Sequence, residues 1–135
     1  MSVADDPQIR AIVRGIEGLT ERVVTAISFN IVANLVEDTP VDTGWARANW
    51  VPAIGTSMDT PASARPDQSM VPGAVARQQA GQASLLGYRL AQGSVFISNN
   101  VPYIMRLNDG SSQQAPRGFV QAAIARGIQQ TERGL

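Results

Sequence analysis

Apolar side chains recur every three or four residues from Ile9 onward, at Ile9, Ile12, Ile16, Leu19, Val23, Ile27, Ile31 and Leu35. Val13, Val24, Val32 and Val36 widen the stripe. This is the period of one face of an α-helix. Asp6 followed by Pro7 is a helix start, because Asp accepts from first-turn N–H groups and the N–H that proline lacks is not needed there. Pro40 disfavours helical geometry at the residue before it, so the helix should stop near Asp38 or Thr39. The expectation is a helix of about 30 residues, roughly 45 Å long at 1.5 Å per residue. Gly15 and Gly18 each weaken it by about 1 kcal/mol relative to alanine, and a break or bend is expected near them. A small domain does not need so long a helix, so part of its apolar face is expected to pack on something outside the chain.

Thr39-Pro40-Val41-Asp42-Thr43-Gly44-Trp45 reads as a tight corner. Asp42 and Thr43 offer side-chain oxygens to nearby backbone N–H groups, and Gly44 takes positive φ without steric cost. It is either a corner presented to a partner or a plain stop-and-turn. Ala46 to Ile54 reads as a strand, with Trp50 and Ile54 on one face and Arg47, Asn49 and Val51 on the other. Trp45 and Trp50 then have opposite parity, one for the core and one for a partner. Residues 55–73 hold three prolines and little periodicity, which suggests an extended arm.

A helix is expected over residues 75–91 and a strand over 93–98. Val95, Phe96 and Ile97 are consecutive and large, implying burial on both strand faces. Asn99-Asn100 ends that strand. Pro102 to Leu107 fits a short helix closed by Asn108-Asp109-Gly110, then a polar loop from Ser111 to Ala115. Pro116 opens a last helix with the stripe Phe119/Val120, Ala123/Ile124 and Gly127/Ile128, expected to fray from Gln129. The fold class is α+β over residues 1–135 as one domain. A long N-terminal helix packs on a small, mainly antiparallel sheet, with a C-terminal helix and a long projecting loop. Two strands alone are marginal, so neighbouring subunits are expected to extend the sheet.

Composition narrows the chemistry. The chain carries eleven acidic and eleven basic residues and no histidine, so no overall charge draws it to nucleic acid or an anionic membrane. Every basic residue is arginine and there is no cysteine. Imidazole, thiol and amine are therefore missing as general bases, nucleophiles or Schiff-base formers. No secretory signal is expected at the N-terminus, and no apolar stretch is expected to reach the roughly 20 residues that cross a bilayer.

Carboxylates are the remaining candidates. Glu37, Asp38 and Asp42 lie close in sequence and could hold a cation or form an acid–base pair; the plainer reading leaves the first two solvated and gives Asp42 to the turn. Asp109-Gly110-Ser111-Ser112 lacks the glycine-rich cradle and lysine of a phosphate loop. Tyr103 is expected to pack beneath the Asn99-Asn100 turn. No catalytic residue, metal site or cofactor is expected.

Three motifs carry a resemblance. They are Thr39-Pro40-Val41-Asp42-Thr43-Gly44 with Arg47 and Trp50, then Val95 to Asn100 with Val101-Pro102-Tyr103, then Leu107-Asn108-Asp109-Gly110-Ser111 with Gln114-Ala115-Pro116. In order and spacing, over about residues 20–128, the chain resembles the head–tail joining proteins of tailed bacteriophages, called neck, tail-completion or minor tail components. It departs from them at Asn108, where glutamate is frequent, and at Trp45-Ala46, where an Arg-Leu type pair is common.

The resemblance implies a non-enzymatic virion protein forming a ring, expected to be a hexamer. Portal or adaptor proteins would lie on the head side, and the tail terminator or tail tube protein on the tail side. DNA would pass through the lumen without sequence-specific binding, no membrane would be involved, and assembly would take place in the host cytoplasm. The structural and assembly residues would be Pro40, Asp42, Thr43, Gly44, Trp50, Asn99, Asn100, Pro102, Tyr103, Gly110, Gln114 and Pro116. The alternatives are a tail terminator ring capping the tail tube, a small carboxylate-dependent hydrolase, and a peptide- or nucleic-acid-binding module.

Overall fold

The computed structural model describes residues 2–41, 44–59 and 71–135. Asp42 and Thr43 of the corner, and 60–70 of the expected arm, lie outside the described residues.

Helix α1 spans Pro7–Asp38. Asp6 caps it, its Oδ1 accepting from the Gln8 N–H at 2.8 Å. The helix runs unbroken through Gly15 and Gly18, against the expected bend. Glycine weakens a helix but leaves its hydrogen-bond ladder intact, and nothing crowds Gly15. The far end closes as foreseen. Thr39 turns extended, its N–H and Oγ1 both donating to the Leu35 carbonyl. An 18-residue window of α1 reaches mean hydropathy 1.3, so by length and composition this helix could cross a membrane. The opposite was expected. Its second half nonetheless packs inside the fold, burying Ser28, Ile31, Val32, Asn34 and Leu35.

After the corner the backbone does not enter a strand. Trp45–Ala48 forms one helical turn, α2, with Gly44 at φ 81° before it. The expected Ala46–Ile54 strand shrinks to β1, Val51–Ile54. Alternation of polar and apolar residues could not separate the two, because Trp45 and Ala48 sit one helical turn apart and both are buried. β1 pairs antiparallel with β2, Val95–Ser98, from Val51 opposite Ser98 to Ile54 opposite Val95. β2 is not buried on both faces: Phe96 is 38% exposed. Helix α3, Val71–Leu85, packs on β1. It starts four residues earlier and ends six earlier than expected (residues 75–91), so 71–73 of the expected arm is helical. Gly81 permits the approach, since a Cβ there would lie 2.5 Å from the Pro52 carbonyl oxygen.

A short helix α4, Ile104–Arg106, continues into a π-turn at Leu107–Ser111, where Gly110 has φ 95°. Helix α5, Phe119–Arg133, packs along α1 and does not fray at Gln129. Its last turns are held from α1: Asn30 Nδ2 donates to Thr131 Oγ1 at 2.9 Å, and Asn34 Nδ2 to Gln130 Oε1 at 2.9 Å. The main core joins Ile31, Leu35, Trp50 and Ala123. A second cluster joins Trp45, Ala46 and Val101 under Tyr103 and Leu107. Both tryptophans are thus interior, at 3% and 6% exposure, and neither is left facing a partner. Their strand parity loses its meaning once the chain coils between them. The class is α+β, as the sequence implied.

Candidate functional site

Among the described residues, several side-chain hydrogen bonds gather around the corner. Arg47, one turn beyond it, donates from Nε to the Val36 carbonyl at 2.6 Å and from Nη2 to the Glu37 carbonyl at 2.9 Å. Those carbonyls lack helical partners at the end of α1, and a cation there also meets the negative end of the helix dipole. Trp50 Nε1 donates to Thr39 Oγ1 at 2.7 Å. Asn99 Nδ2 donates to the Ala46 carbonyl at 2.8 Å, while its Oδ1 accepts from the Val101 N–H. The turn after β2 is thereby tied to α2. Asn100 Nδ2 holds the Met58 carbonyl at 2.6 Å, just before the undescribed loop residues.

Between the corner and the Tyr103–Gln114 segment lies a cleft of about 510 Å³. Pro40, Gly44 and Ala46 form one wall; Tyr103, Arg106, Leu107, Ser111, Ser112 and Gln114 form the other. Gln114 Oε1 accepts from the Val41 N–H at 3.1 Å and so bridges the two walls. Tyr103 stacks obliquely on Trp45, ring centres 5.8 Å apart.

Of the residues marked out from sequence, the fold brings Pro40, Gly44, Tyr103 and Gln114 into the cleft lining. Asn99 and Asn100 lie behind it as braces. Trp50 belongs to the core. Gly110 sits in the π-turn, where a Cβ would come 3.2 Å from Arg117 Cβ. Pro102 and Pro116 are exposed loop residues outside the lining.

Two further residues support the corner and a third caps α5; none was marked as a structural or assembly residue. Gln78 is buried on α3 and donates from Nε2 to the Arg47 and Trp50 carbonyls at 3.1 and 2.9 Å. Asn49 donates to the Trp45 carbonyl at 2.8 Å and accepts from Arg77 Nη2 at 3.2 Å; burial lowers the Arg77 guanidinium below its ordinary pKa. Asn108 caps α5 from a distance. Its Oδ1 accepts from the Val120 N–H at 2.9 Å and its carbonyl from the Gly118 N–H at 2.7 Å. Gly118, at the cap position itself, has no side chain to offer. Gln78 lies between Arg77 and Gln79 on a helix with further polar residues, so nothing in the sequence set it apart.

Among the described residues the cleft lining holds one guanidinium, two serine hydroxyls, one amide and one phenol, and no carboxylate. Of the acidic trio, Asp38 pairs with Arg126 at 2.9 Å, and Asp42 lies outside the described residues. Among the described residues no three of His, Cys, Asp and Glu stand close enough to hold a metal ion. Donors set between apolar walls suit an extended backbone better than a reaction centre. No family model, no curated protein and no solved structure matches this chain.

Proposed function

We propose that the chain is a structural virion protein of the tailed-phage neck. Copies of it form a ring, a hexamer, that joins the portal or adaptor on the DNA-filled head to the tail. The observation that carries this is the convergence of the three resemblance motifs: Pro40 and Gly44, then Asn99 to Tyr103, then Gly110 to Gln114. They lie far apart in sequence, yet Pro40 and Gly44 of the first, Tyr103 of the second and Ser111 and Gln114 of the third line one cleft, with Gln114 bonded to Val41 across it and Asn99 bonded to the Ala46 carbonyl behind it. In a ring, that cleft receives a segment of the neighbouring subunit or of the next ring. An equal number of acidic and basic residues suits a lumen through which DNA must slide, since a strongly basic wall would retain it by counterion release.

Light scattering on the purified chain, together with imaging of particles carrying a tagged copy, tests the proposal. A ring at the junction of head and tail is expected. Monomers at every concentration, with no label at that junction, would overturn it. Label that travels with free tails and not with filled heads would move the chain to the tail terminator.

A further inference from the structure

The two edges of the sheet differ. Gly55 donates its backbone N–H to the Ser94 carbonyl at 2.8 Å, which continues the register from Val51 opposite Ser98 to Ile54 opposite Val95. Bonded positions alternate along an antiparallel pair. Ala53 and Phe96 therefore bond to each other, as do Val51 and Ser98, while Pro52, Ile54, Val95 and Ile97 turn their backbone groups away from the ladder. On the β1 side that outer edge is sealed. Pro52 has no N–H to offer, and α3 lies against its carbonyl at Gly81.

On the β2 side the edge is open. Among the described residues none bonds to the outward N–H or C=O of Val95 or Ile97. No residue of β2 is fully buried, whereas Val51 and Pro52 of β1 are. Residues Gly93 to Val101 include neither a charge nor a proline, the usual devices that keep an edge from pairing.

This edge also reads alike in both directions. Ser94-Val95-Phe96-Ile97-Ser98 runs Ser, β-branched, Phe, β-branched, Ser about its centre. Laid antiparallel on itself about Phe96, it sets Ser94 opposite Ser98, Val95 opposite Ile97 and Phe96 opposite Phe96. The parity agrees with the ladder. Val95 and Ile97, whose groups face outward, become the bonded positions, and Phe96, already bonded to Ala53, falls on the close non-bonded pair. Phe96 is 38% exposed, on the sheet face opposite to Ile97 and the core. Across the two-fold it meets its counterpart, and such cross-strand aromatic pairs are stabilising.

We infer that β2 pairs with β2 of a second copy, joining two marginal two-stranded sheets into one of four strands. With the β1 edge sealed, no other strand edge among the described residues is open for a head-to-tail contact. The pairing goes beyond the ring described above, because it uses one surface twice whereas a ring needs two different surfaces. So short a strand pair buries less than the about 1,200 Å² of a standard interface, so the dimer forms reversibly at high concentration.

Sedimentation equilibrium on the full chain, from about 10 μM to about 1 mM, tests this. Self-association is expected. Amide exchange at Val95 and Ile97 should slow as concentration rises. Val95→Pro removes an outward N–H at the first strand position, where proline is tolerated. Phe96→Lys sets like charges opposite each other. Each should weaken association at least tenfold, with the fold retained by circular dichroism. The native chain has no cysteine, which allows a further readout. Phe96→Cys, on the two-fold, should give a disulfide-linked dimer under mild oxidation. Ser94→Cys should not, because its counterpart lies four residues along the partner strand, roughly 14 Å away.

A monomer throughout the range overturns the inference, as does association that neither Val95→Pro nor Phe96→Lys weakens. Protection of Val95 and Ile97 that is independent of concentration also overturns it, since the edge would then be covered within its own chain. Each of these leaves the neck proposal standing, and absence of label from the head–tail junction would leave the dimer standing.

Discussion

Trp50 and Thr39 meet across the corner: the indole N–H of Trp50 donates to Thr39 Oγ1 at 2.7 Å while that hydroxyl donates to the Leu35 carbonyl. Both residues are buried, at 6% and 1% exposure. The hydroxyl acts as donor to the last turn of α1 and as acceptor from the residue before β1. One oxygen thus sets the angle between helix and strand.

Replacing Thr39 by valine keeps the shape and removes that oxygen, leaving a buried indole N–H unpaired. The expected loss is about 2 kcal/mol, within the usual 1–3 kcal/mol for such a group. Chemical denaturation should show it as a lower midpoint with unchanged slope. Adding Trp50→Phe to Thr39→Val should cost less than the two single changes summed, because the orphaned donor is then gone.

Gly127 and Gly15 should respond in opposite directions to alanine. A Cβ at Gly127 would lie 2.7 Å from Ile31 Cγ1 and 3.0 Å from the Ile31 backbone nitrogen, where α5 crosses α1. Overpacking there should destabilise by about 1–3 kcal/mol, less whatever helix propensity returns. Gly15→Ala meets open space and should stabilise by about 0.5–1 kcal/mol. Thermal melts of the two variants decide the matter, and equal shifts would refute the close crossing.

Asn108→Ala should remove the cap of α5 and cost about 1 kcal/mol. Asn108→Asp keeps the acceptor for the Val120 N–H and loses only the donor to Gln121 Oε1, a bond of 2.9 Å. It should retain most of the stability. Amide exchange at residues 119–121 would report the loss directly, rising in the alanine variant and staying near native in the aspartate.

The Asp38–Arg126 pair is short at 2.9 Å, but its side chains are 28% and 41% exposed. Water and salt screen such a pair, so a double-mutant cycle should return about 0.5 kcal/mol, falling further in 1 M salt. A coupling several times larger would mean the site is drier than its exposure indicates.

Elements with strong local signals were legible. The Asp6-Pro7 start of α1 and its stop before Pro40 follow from capping and from the geometry proline imposes, and both stand as expected. The second strand and the glycine closing the turn at 110 were also readable, because apolar β-branched runs and positive φ leave marks on composition. The segment 45–50 was not. Trp-Ala-Arg-Ala-Asn-Trp alternates well enough for a strand and has enough alanine for a helix; Gln78 from α3 and Asn99 from the loop after β2 hold its carbonyls.

The corner residues could be marked out because proline and glycine constrain the backbone wherever they occur. That Gln114 would reach Val41 could not, for no local preference encodes a contact 73 residues apart. The same division holds at the chain's end. The stripe of α5 predicts a helix, but its persistence through Thr131 depends on Asn30 and Asn34 of α1. Backbone preference and periodicity are written residue by residue and so indicated helices α1, α3 and α5 and the strand after Gly93, while composition alone removed imidazole, thiol and amine. The cleft, the burial of both tryptophans and the exposure of Ile12, Ile16 and Leu19 on α1 depend on which surfaces meet when distant segments compete for the same apolar cover, and only the folded chain resolves that competition.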